Sequence, residues 1–369
     1  MRIIQLIQRP QRRGAEIFAV QLAEELLLRG HEILVIGVFP GPDGLAFTGQ
    51  MITLDRPPAR RLYDIKGWRA LARLIRKWKP DLIQANAADT LKFATLSKKI
   101  FRWKCPIIYR NANQMGDFIR GNFHRMFNQF LLNSVDSVIS VSNASRTDFH
   151  HKFKFPEIHA VVIPIGIDPE KIELELAKAE NTQLFPFPYL IQIGSWVPEK
   201  DPLAMLDIFK DIRIVNPALH LVFLGSGVLE RQLRDKIDLL GLDQVVHLIP
   251  NQANIFIYLQ HAEALIMPSR IEGLPGVILE AMYCKVPVVA FGVGGIPEVL
   301  VSGKTGFCVK PGDSMAFEKS ILHLLNLSAN QKEDLQDAAH SLVVDSYSLR
   351  KIAVRFEDFY RKRVEGWKV

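Results

Sequence analysis

At 369 residues the chain exceeds what one compact core usually holds and has room for about two domains. It is 48% hydrophobic, yet its apolar stretches have strand or helix length, and none reaches the roughly 18 to 20 uninterrupted apolar residues of a membrane span, so a soluble chain is expected. The net charge of +7 is uneven: residues 1–168 hold 25 Lys and Arg against 14 Asp and Glu, a net of +11, while 169–369 hold 21 against 25, a net of −4.

Residues 2–7 (R-I-I-Q-L-I) are interrupted too soon by Arg9, Arg12 and Arg13 for a secretory segment and read as a first strand. The first clear helix covers 15–29. It follows a loop containing Gly14, carries Glu16 in its first turn and ends at Gly30, a good residue just past a helix end. Further strands are predicted near 32–38, 81–86, 106–109, 137–142 and 160–164. Between them lie basic stretches interleaved with aromatics: 60–79 with Tyr63, Trp68 and Trp78, 98–104 with Phe101 and Trp103, and 150–155 with Phe153 and Phe155. Such belts suit an anionic surface, either membrane or nucleic acid, but no nucleic-acid-binding motif accompanies them.

Residues 167–188, a charged helix-like patch at 170–180 followed by F-P-F-P, form the best linker candidate. The second half repeats the logic of the first. Strands are predicted near 189–194, 219–224, 245–249, 263–267, 286–290 and 307–309, with helices at 202–215, 228–240, 276–283 and 313–326. A closing helix at 348–362 places Ile352, Phe356 and Phe359 at helical spacing. Strands alternating with helices predict an α/β chain with parallel sheets and two Rossmann-like halves. Cys105, Cys284 and Cys308 are few and widely spaced in apolar contexts, which fits reduced core thiols in a cytosolic chain. The sequons at Asn143 and Asn326 then carry no glycan.

The chemistry concentrates at 268–282, P-S-R-I-E-G-L-P-G-V-I-L-E-A-M, where Glu272 and Glu280 flank a glycine bend that joins a strand end to a helix start. Unpaired amides at such a junction attract phosphate, and Gly273 and Gly276 allow close approach to the backbone. Three more glycine bends follow predicted strands: G-S-W-V-P-E-K-D at 194–201, bearing Lys200; L-G-S-G at 224–227, with Gly225; and G-V-G-G-I-P-E at 292–298. Read singly, Lys200 is a solvated turn lysine and the glutamates are helix-end charges. Read together, four bends at strand ends converge on one crevice with a lysine for a diphosphate and carboxylates for sugar hydroxyls. A glycosidase would use two carboxylates but has no need of the accessory bends or the lysine. There is no Asp-x-Asp and no zinc-ligand spacing, so neither a metal nor a resident cofactor is implied, and Lys200 and helix N-termini can neutralise the diphosphate.

With these residues the chain resembles, over nearly its whole length, the retaining family 4 glycosyltransferases of the GT-B fold, also called glycosyl transferases group 1. The 268–282 segment looks like that family's E-x7-E signature. C-K-V-P-V-V-A at 284–290, G-G-I-P-E at 294–298, G-K-T-G-F at 303–307 and P-G-D at 311–313 follow its pattern. In the first half, R-G-A-E at 13–16 is similar to the family's G-G-x-E loop, and V-S-N-A-S at 141–145 and I-P-I-G-I-D at 163–168 fit the end of the first domain. The resemblance implies two Rossmann-like parallel-sheet domains facing each other across a cleft. The acceptor-side domain would be 1–168, with the helix at 348–369 packing back on it, and the donor domain 169–347.

Residue roles follow from the same resemblance. Glu272 would meet the donor sugar hydroxyls and, with Lys200 on the phosphates, carry catalysis. The backbone of Gly273, Leu274, Pro275, Gly276 and Val277 would meet the diphosphate, Glu280 the ribose, and the Ile249 to Asn251 backbone the base, with Gly225 and Gly14 also on the donor. The chain departs from the pattern at Arg13, which replaces a glycine near the acceptor side, and at Ser195, where the family usually has an arginine. It also lacks a histidine in Y-R-N-A-N at 109–113, where Arg110, Asn111 and Asn113 are the substitutes.

The implied activity is retaining, metal-independent transfer of a hexose or N-acetylhexosamine from a nucleotide-diphosphate sugar, UDP-sugar favoured over GDP-sugar. The acceptor would be a hydroxyl of a glycan or lipid-linked glycan in cell-surface polysaccharide biosynthesis, lipopolysaccharide included. The enzyme would be cytoplasmic, with its first domain resting peripherally on the anionic inner face of the cytoplasmic membrane. A nucleotide-sugar epimerase of the same fold and a non-catalytic nucleotide-sugar-binding protein are the alternatives; the first would release free sugar without an acceptor.

Overall fold

A computed structural model describes residues 1–42, 44–61, 63–178 and 184–368. The chain divides into two compact units, Met1–Gly166 with Leu349–Val369, and Ile167–Ser348.

In chain order the first unit contains β1 (Arg2–Ile7), α1 (Gly14–Leu28), β2 (Glu32–Gly37), β3 (Gln50–Thr53), α2 (Ile65–Trp78), β4 (Leu82–Ala85), α3 (Ala88–Phe101), β5 (Ile107–Asn111), α4 (Gly121–Leu132), β6 (Ser137–Ser140), α5 (Asn143–Lys152) and β7 (Ala160–Val162). The second contains α6 (Pro169–Ala177), β8 (Tyr189–Ile193), α7 (Pro202–Val215), β9 (His220–Leu224), α8 (Glu230–Leu240), β10 (Val246–Ile249), α9 (Phe256–Leu259), β11 (Ala264–Met267), α10 (Gly276–Tyr283), β12 (Val288–Phe291), β13 (Phe307–Val309), α11 (Ser314–Leu325) and α12 (Ala329–Ser346). The last helix, α13 (Leu349–Lys368), returns to the first unit.

Each unit is built on a parallel sheet, in the order β3-β2-β1-β4-β5-β6-β7 in the first and β10-β9-β8-β11-β12-β13 in the second. Numbered within its own unit, each sheet begins 3-2-1-4-5-6, the Rossmann order, whose direction of winding reverses between strands 1 and 4. Strands sandwiched by helices read as continuous apolar runs, and Ile3, Ile4, Leu6 and Ile7 of β1 are fully buried. The exception is Gln5. Its register partner on β4 is Gln84, and the two amides and Asn86 hydrogen-bond one another at 2.9–3.1 Å, which satisfies polar groups that burial would otherwise penalise.

Tyr360 of α13 closes this network by donating to Gln84 Oε1. On α13 the inward stripe is Ile352, Phe356, Tyr360 and Val364, and Phe356 packs on Phe18 of α1 at 5.8 Å. The predicted Phe359 is only partly buried, because 3.6 residues per turn brings position 360 to the face shared by 352 and 356.

Much of the aromatic belts resolves into ordinary amphipathic packing, although Tyr63 is 82% exposed. On α2, Trp68, Leu71, Ala72 and Ile75 face inward, and Lys66, Arg69, Arg73, Arg76 and Lys77 are exposed. Trp103 is buried and donates to Ser97 Oγ at 3.0 Å, and Phe153 is buried in the same core. The proposed linker is in part a helix of the second unit. Asp168 caps α6, Ile172 is buried, and Tyr283 donates to Glu173 at 2.8 Å. The expected patch at 170–180 runs past α6, and its last two positions, 179 and 180, lie with 181–183 outside the described residues. All three cysteines are free thiols, and burial pushes Cys105 and Cys284 up to about 12.

Candidate functional site

In the second unit the loops leaving β8, β9, β10, β11 and β12 all lie at the carboxyl ends of one parallel sheet, and their backbones are stitched to one another. After β8, the Trp196 amide donates to the Ser226 carbonyl at 2.9 Å, joining the β8 and β9 loops. Asn251, after β10, donates its side-chain amide to Ser226 Oγ at 2.8 Å, next to the half-buried Ile249. Arg270, after β11, donates its backbone N–H to the Glu199 carbonyl at 2.8 Å, and its guanidinium pairs with Asp201 at 2.6 Å. The Gly295 amide, after β12, donates to the Gly273 carbonyl at 2.5 Å.

Glycine is required where these loops press backbone on backbone. A Cβ at Gly225 would lie 1.9 Å from the Gly194 carbonyl oxygen, and one at Gly294, which has φ +56°, would lie 2.0 Å from that of Glu272. The glycine bends thus allow neighbouring loops to close on one another.

The stitching brings Lys200 to Glu272. Lys200 ends a 3-10 turn over Pro198–Lys200, and its carbonyl accepts from Gln192 Nε2 at 2.9 Å. Its ammonium lies 2.5 Å from Glu272 Oε1, and Glu272 is only 6% exposed. The next residues, Gly273, Leu274 and Pro275, are buried, Gly276 and Val277 are half-buried at the start of α10, and Glu280 sits one turn further along the helix. Ser195 is half-buried between Gly194 and the buried Trp196. Ser195, Lys200, Gly225, Ile249, Asn251, the 272–277 segment and Glu280 therefore all belong to one sheet edge or the helix that leaves it.

Other polar side chains belong to the same edge and carried no signal in the sequence. Gln192 reads as one polar residue within a strand and Ser269 as one loop serine. Both are buried, and among the described residues Gln192 Oε1 and Ser269 Oγ have no hydrogen-bond partner.

In the first unit Arg13 and Gly14 are exposed at the N-terminus of α1, and a Cβ on Gly14 would meet nothing within 4 Å. Asn113 is exposed after β5. Arg110 and Asn111, named on the acceptor side, are interior residues, each 1% exposed. Arg110 Nε donates to Asn86 Oδ1 at 3.0 Å, its terminal nitrogen donates to the Ala15 carbonyl at 2.8 Å, and its guanidinium stacks over Phe18. Asn111 donates to the Ser145 carbonyl at 3.1 Å. The reason is topological: both residues end a central strand, where side chains enter the core. Burial pulls Arg110 down to about 10, still charged at neutral pH, and raises the buried carboxyl of Glu16 beside it. Arg110 thus braces the first turn of α1 from beneath.

Among known proteins, the chain is 26% identical over 219 residues to an uncharacterized glycosyltransferase of Haemophilus influenzae, covering 59% of each. It is 28% identical over 209 residues to the capsular polysaccharide biosynthesis glycosyltransferase CapM of Staphylococcus aureus, covering 54% of each. The chain thus spans little more than half the length of these relatives. The crystal structure of Anabaena HepE in complex with UDP-glucose superposes with a TM-score of 0.81 at 20% identity, covering 98% of this chain and 100% of that one. It shares the two-sheet GT-B fold. Two family models match in tandem, "Glycosyltransferase Family 4" over residues 12–171 and "Glycosyl transferases group 1" over 177–341, and the chain belongs to these glycosyltransferases.

Proposed function

We propose that this glycosyltransferase moves a hexose or N-acetylhexosamine from a nucleotide-diphosphate sugar, UDP-sugar before GDP-sugar, to a hydroxyl of a glycan or lipid-linked glycan, with retention and without a metal. The observation that carries the reading is the Lys200–Glu272 pair, held where the strand order reverses in the second unit. The ammonium neutralises the diphosphate as its bond to the sugar breaks, aided by the first amides of α10, while Glu272 accepts from the sugar hydroxyls. The departing phosphate oxygen, on the same face of the sugar, takes the acceptor proton. Glu280 holds the ribose, and the backbone near Ile249 and Asn251 the base.

The preference for UDP draws on HepE, solved with UDP-glucose, and the place in polysaccharide assembly on CapM and its like. Nucleotide sugars being the donors in this reading, we assign the chain to the cytoplasm, at the inner face of the membrane; separately, among the described residues no helix is long and apolar enough to cross a membrane. A thermal-shift panel of UDP-, GDP- and ADP-sugars tests the donor, since a ligand at 100 times its Kd stabilises by about 2.7 kcal/mol. UDP-sugars should give the largest shift. No shift with any nucleotide sugar sinks the proposal, and conversion of the donor sugar to its epimer without an acceptor would mark an epimerase.

A further inference from the structure

Asp201 stands at the N-cap of α7, between Lys200 and Pro202, with φ +45° and ψ +50°. Residues other than glycine rarely take that left-handed conformation, and the proline that follows favours extended backbone at the position before it. An aspartate at a helix N-cap ordinarily accepts from an amide of the first turn, yet among the described residues Asp201 makes no such bond. Its carboxylate accepts instead from Arg270 Nε at 2.6 Å. A residue held in a strained conformation persists only where its surroundings fix it, and such residues gather at functional sites.

Arg270 grips the loop after β8 twice. Its amide donates to the Glu199 carbonyl at 2.8 Å and its Nε to Asp201, so it holds the residues on either side of Lys200. The Lys200 carbonyl is fixed in turn by Gln192 Nε2 at 2.9 Å. Two positions after Arg270 comes Glu272, which receives the Lys200 ammonium. One short segment, 270–272, therefore holds the backbone around Lys200 and accepts its side chain. As an ion pair Asp201–Arg270 adds little to global stability, because the arginine side chain is 68% exposed to water. What it holds is a backbone angle next to the lysine.

We propose that Asp201 and Arg270 are positioning residues, a clasp between the β8 and β11 loops that keeps the Lys200 ammonium where the donor diphosphate meets it. The clasp acts through Lys200 and not by contact with substrate. Its catalytic consequence rests on the donor reading above; its geometry does not. Release of Asp201 toward extended backbone carries Lys200 off Glu272, and a misplacement of about 1 Å at a charge-stabilising group costs up to roughly a hundredfold in rate. Because the ammonium acts on charge that develops as the sugar–phosphate bond breaks, the loss falls on kcat and not on KM.

Three substitutions and two readouts test it. Asp201→Gly relaxes the left-handed backbone and removes the clasp; it should melt near wild type yet lose roughly fivefold or more in kcat, with KM for the nucleotide sugar within about twofold. Asp201→Asn, which tolerates the same backbone and whose amide oxygen still accepts from Arg270, should rescue most of the transfer. Arg270→Met, at an exposed side chain, should lower kcat as Asp201→Gly does, and the double variant no further. Reductive methylation followed by peptide mass spectrometry reads the clasp without turnover: Lys200, shielded by its pairing with Glu272, should label faster in Asp201→Gly and Arg270→Met than in wild type. Labelling of Lys200 at the wild-type rate in both variants overturns the proposal, as does a wild-type kcat in both. A loss of transfer in Arg270→Met that Asp201→Gly does not share overturns it in favour of direct contact between Arg270 and the donor. A wild-type chain that transfers from no nucleotide sugar sinks the donor reading, and faster labelling in the two variants would leave the clasp standing.

Discussion

The Lys200 ammonium and the Glu272 carboxylate face each other at 2.5 Å from the ends of neighbouring strands β8 and β11. A bound diphosphate would share this lysine with a carboxylate that is 93% shielded from water, so the two residues are energetically coupled. Removing Lys200 alone strands the carboxylate. Such losses cost about 3–5 kcal/mol at full burial and less here, because the lysine side chain is 24% exposed. Lys200→Ala and Glu272→Ala should each lower transfer at least tenfold, or about 1.4 kcal/mol. The double variant Lys200→Ala/Glu272→Gln should regain melting temperature over Lys200→Ala without regaining transfer. Calorimetry and initial rates on all variants check this, and wild-type rates in either alanine variant would end the assignment.

Gly294 and Gly14 should respond oppositely to alanine. A methyl at 294 would press on the Glu272 carbonyl from a left-handed backbone, so the loop after β11 must move, and with it the pair. Gly294→Ala should lower both stability and nucleotide-sugar affinity. At Gly14 the added methyl has open space at the first helical position, and Gly14→Ala should melt at or slightly above wild type. If its transfer rate nevertheless falls, a substrate approaches that backbone. If the rate is unchanged, Gly14 has no role in donor binding.

Arg110 should prove a structural cation. Arg110→Met would take one donor from Asn86 Oδ1, which keeps Gln84, and one from the Ala15 carbonyl, and would leave Glu16 with Arg13 as a neighbouring charge. Losses of about 1–3 kcal/mol are usual when a buried hydrogen-bonding partner is removed this way. Arg110→Lys should rescue little, because a point charge cannot serve both acceptors and stack on Phe18. Urea denaturation of the three proteins is the measurement, and a wild-type midpoint for Arg110→Met would refute the role.

The second sheet was legible because its strands are apolar runs punctuated by glycine, and α10 starts where Pro275 and Gly276 say it should. Lys200 and Glu272 were legible for a different reason. Each alone reads as an ordinary turn or helix-end charge, and only the four glycine bends taken together single them out, whereas Gln192 and Ser269 look like any strand or loop residue until burial leaves their oxygens unpaired. The first unit was harder to read. Basic residues around Trp68 and Trp103 look like a surface belt in one dimension, and only the helical phase of α2 shows Trp68 pointing inward and only the bond to Ser97 shows Trp103 doing so. Arg110 is a charged residue at the end of a strand, and its burial depends on Asn86 and Ala15, which lie 24 and 95 positions away.

His220 and His247 should make the second unit acid-sensitive. His220 Nδ1 lies 2.9 Å from His247 Nε2, and Phe187 stacks on His220 at 3.6 Å. One ring must donate and the other accept, so two imidazolium rings would set donor against donor. Burial lowers both pKa values, and for His220 the neighbouring His247 and Arg213 lower it further. The sign follows from linkage. In the unfolded chain both rings titrate near the usual value of about 6.5, while the folded chain binds those protons only at lower pH. Their stabilising contribution is therefore complete above about pH 6.5 and is lost as pH falls toward the depressed folded values. His31, also lowered by burial but in the first unit, adds a slope of the same sign, so the comparison must be with a variant. His220→Phe/His247→Phe keeps the aromatic stack and removes the protons. Its melting temperature should fall less than that of wild type between pH 7 and pH 5, and identical slopes in differential scanning calorimetry would show that the pair does not act as a proton-linked contact.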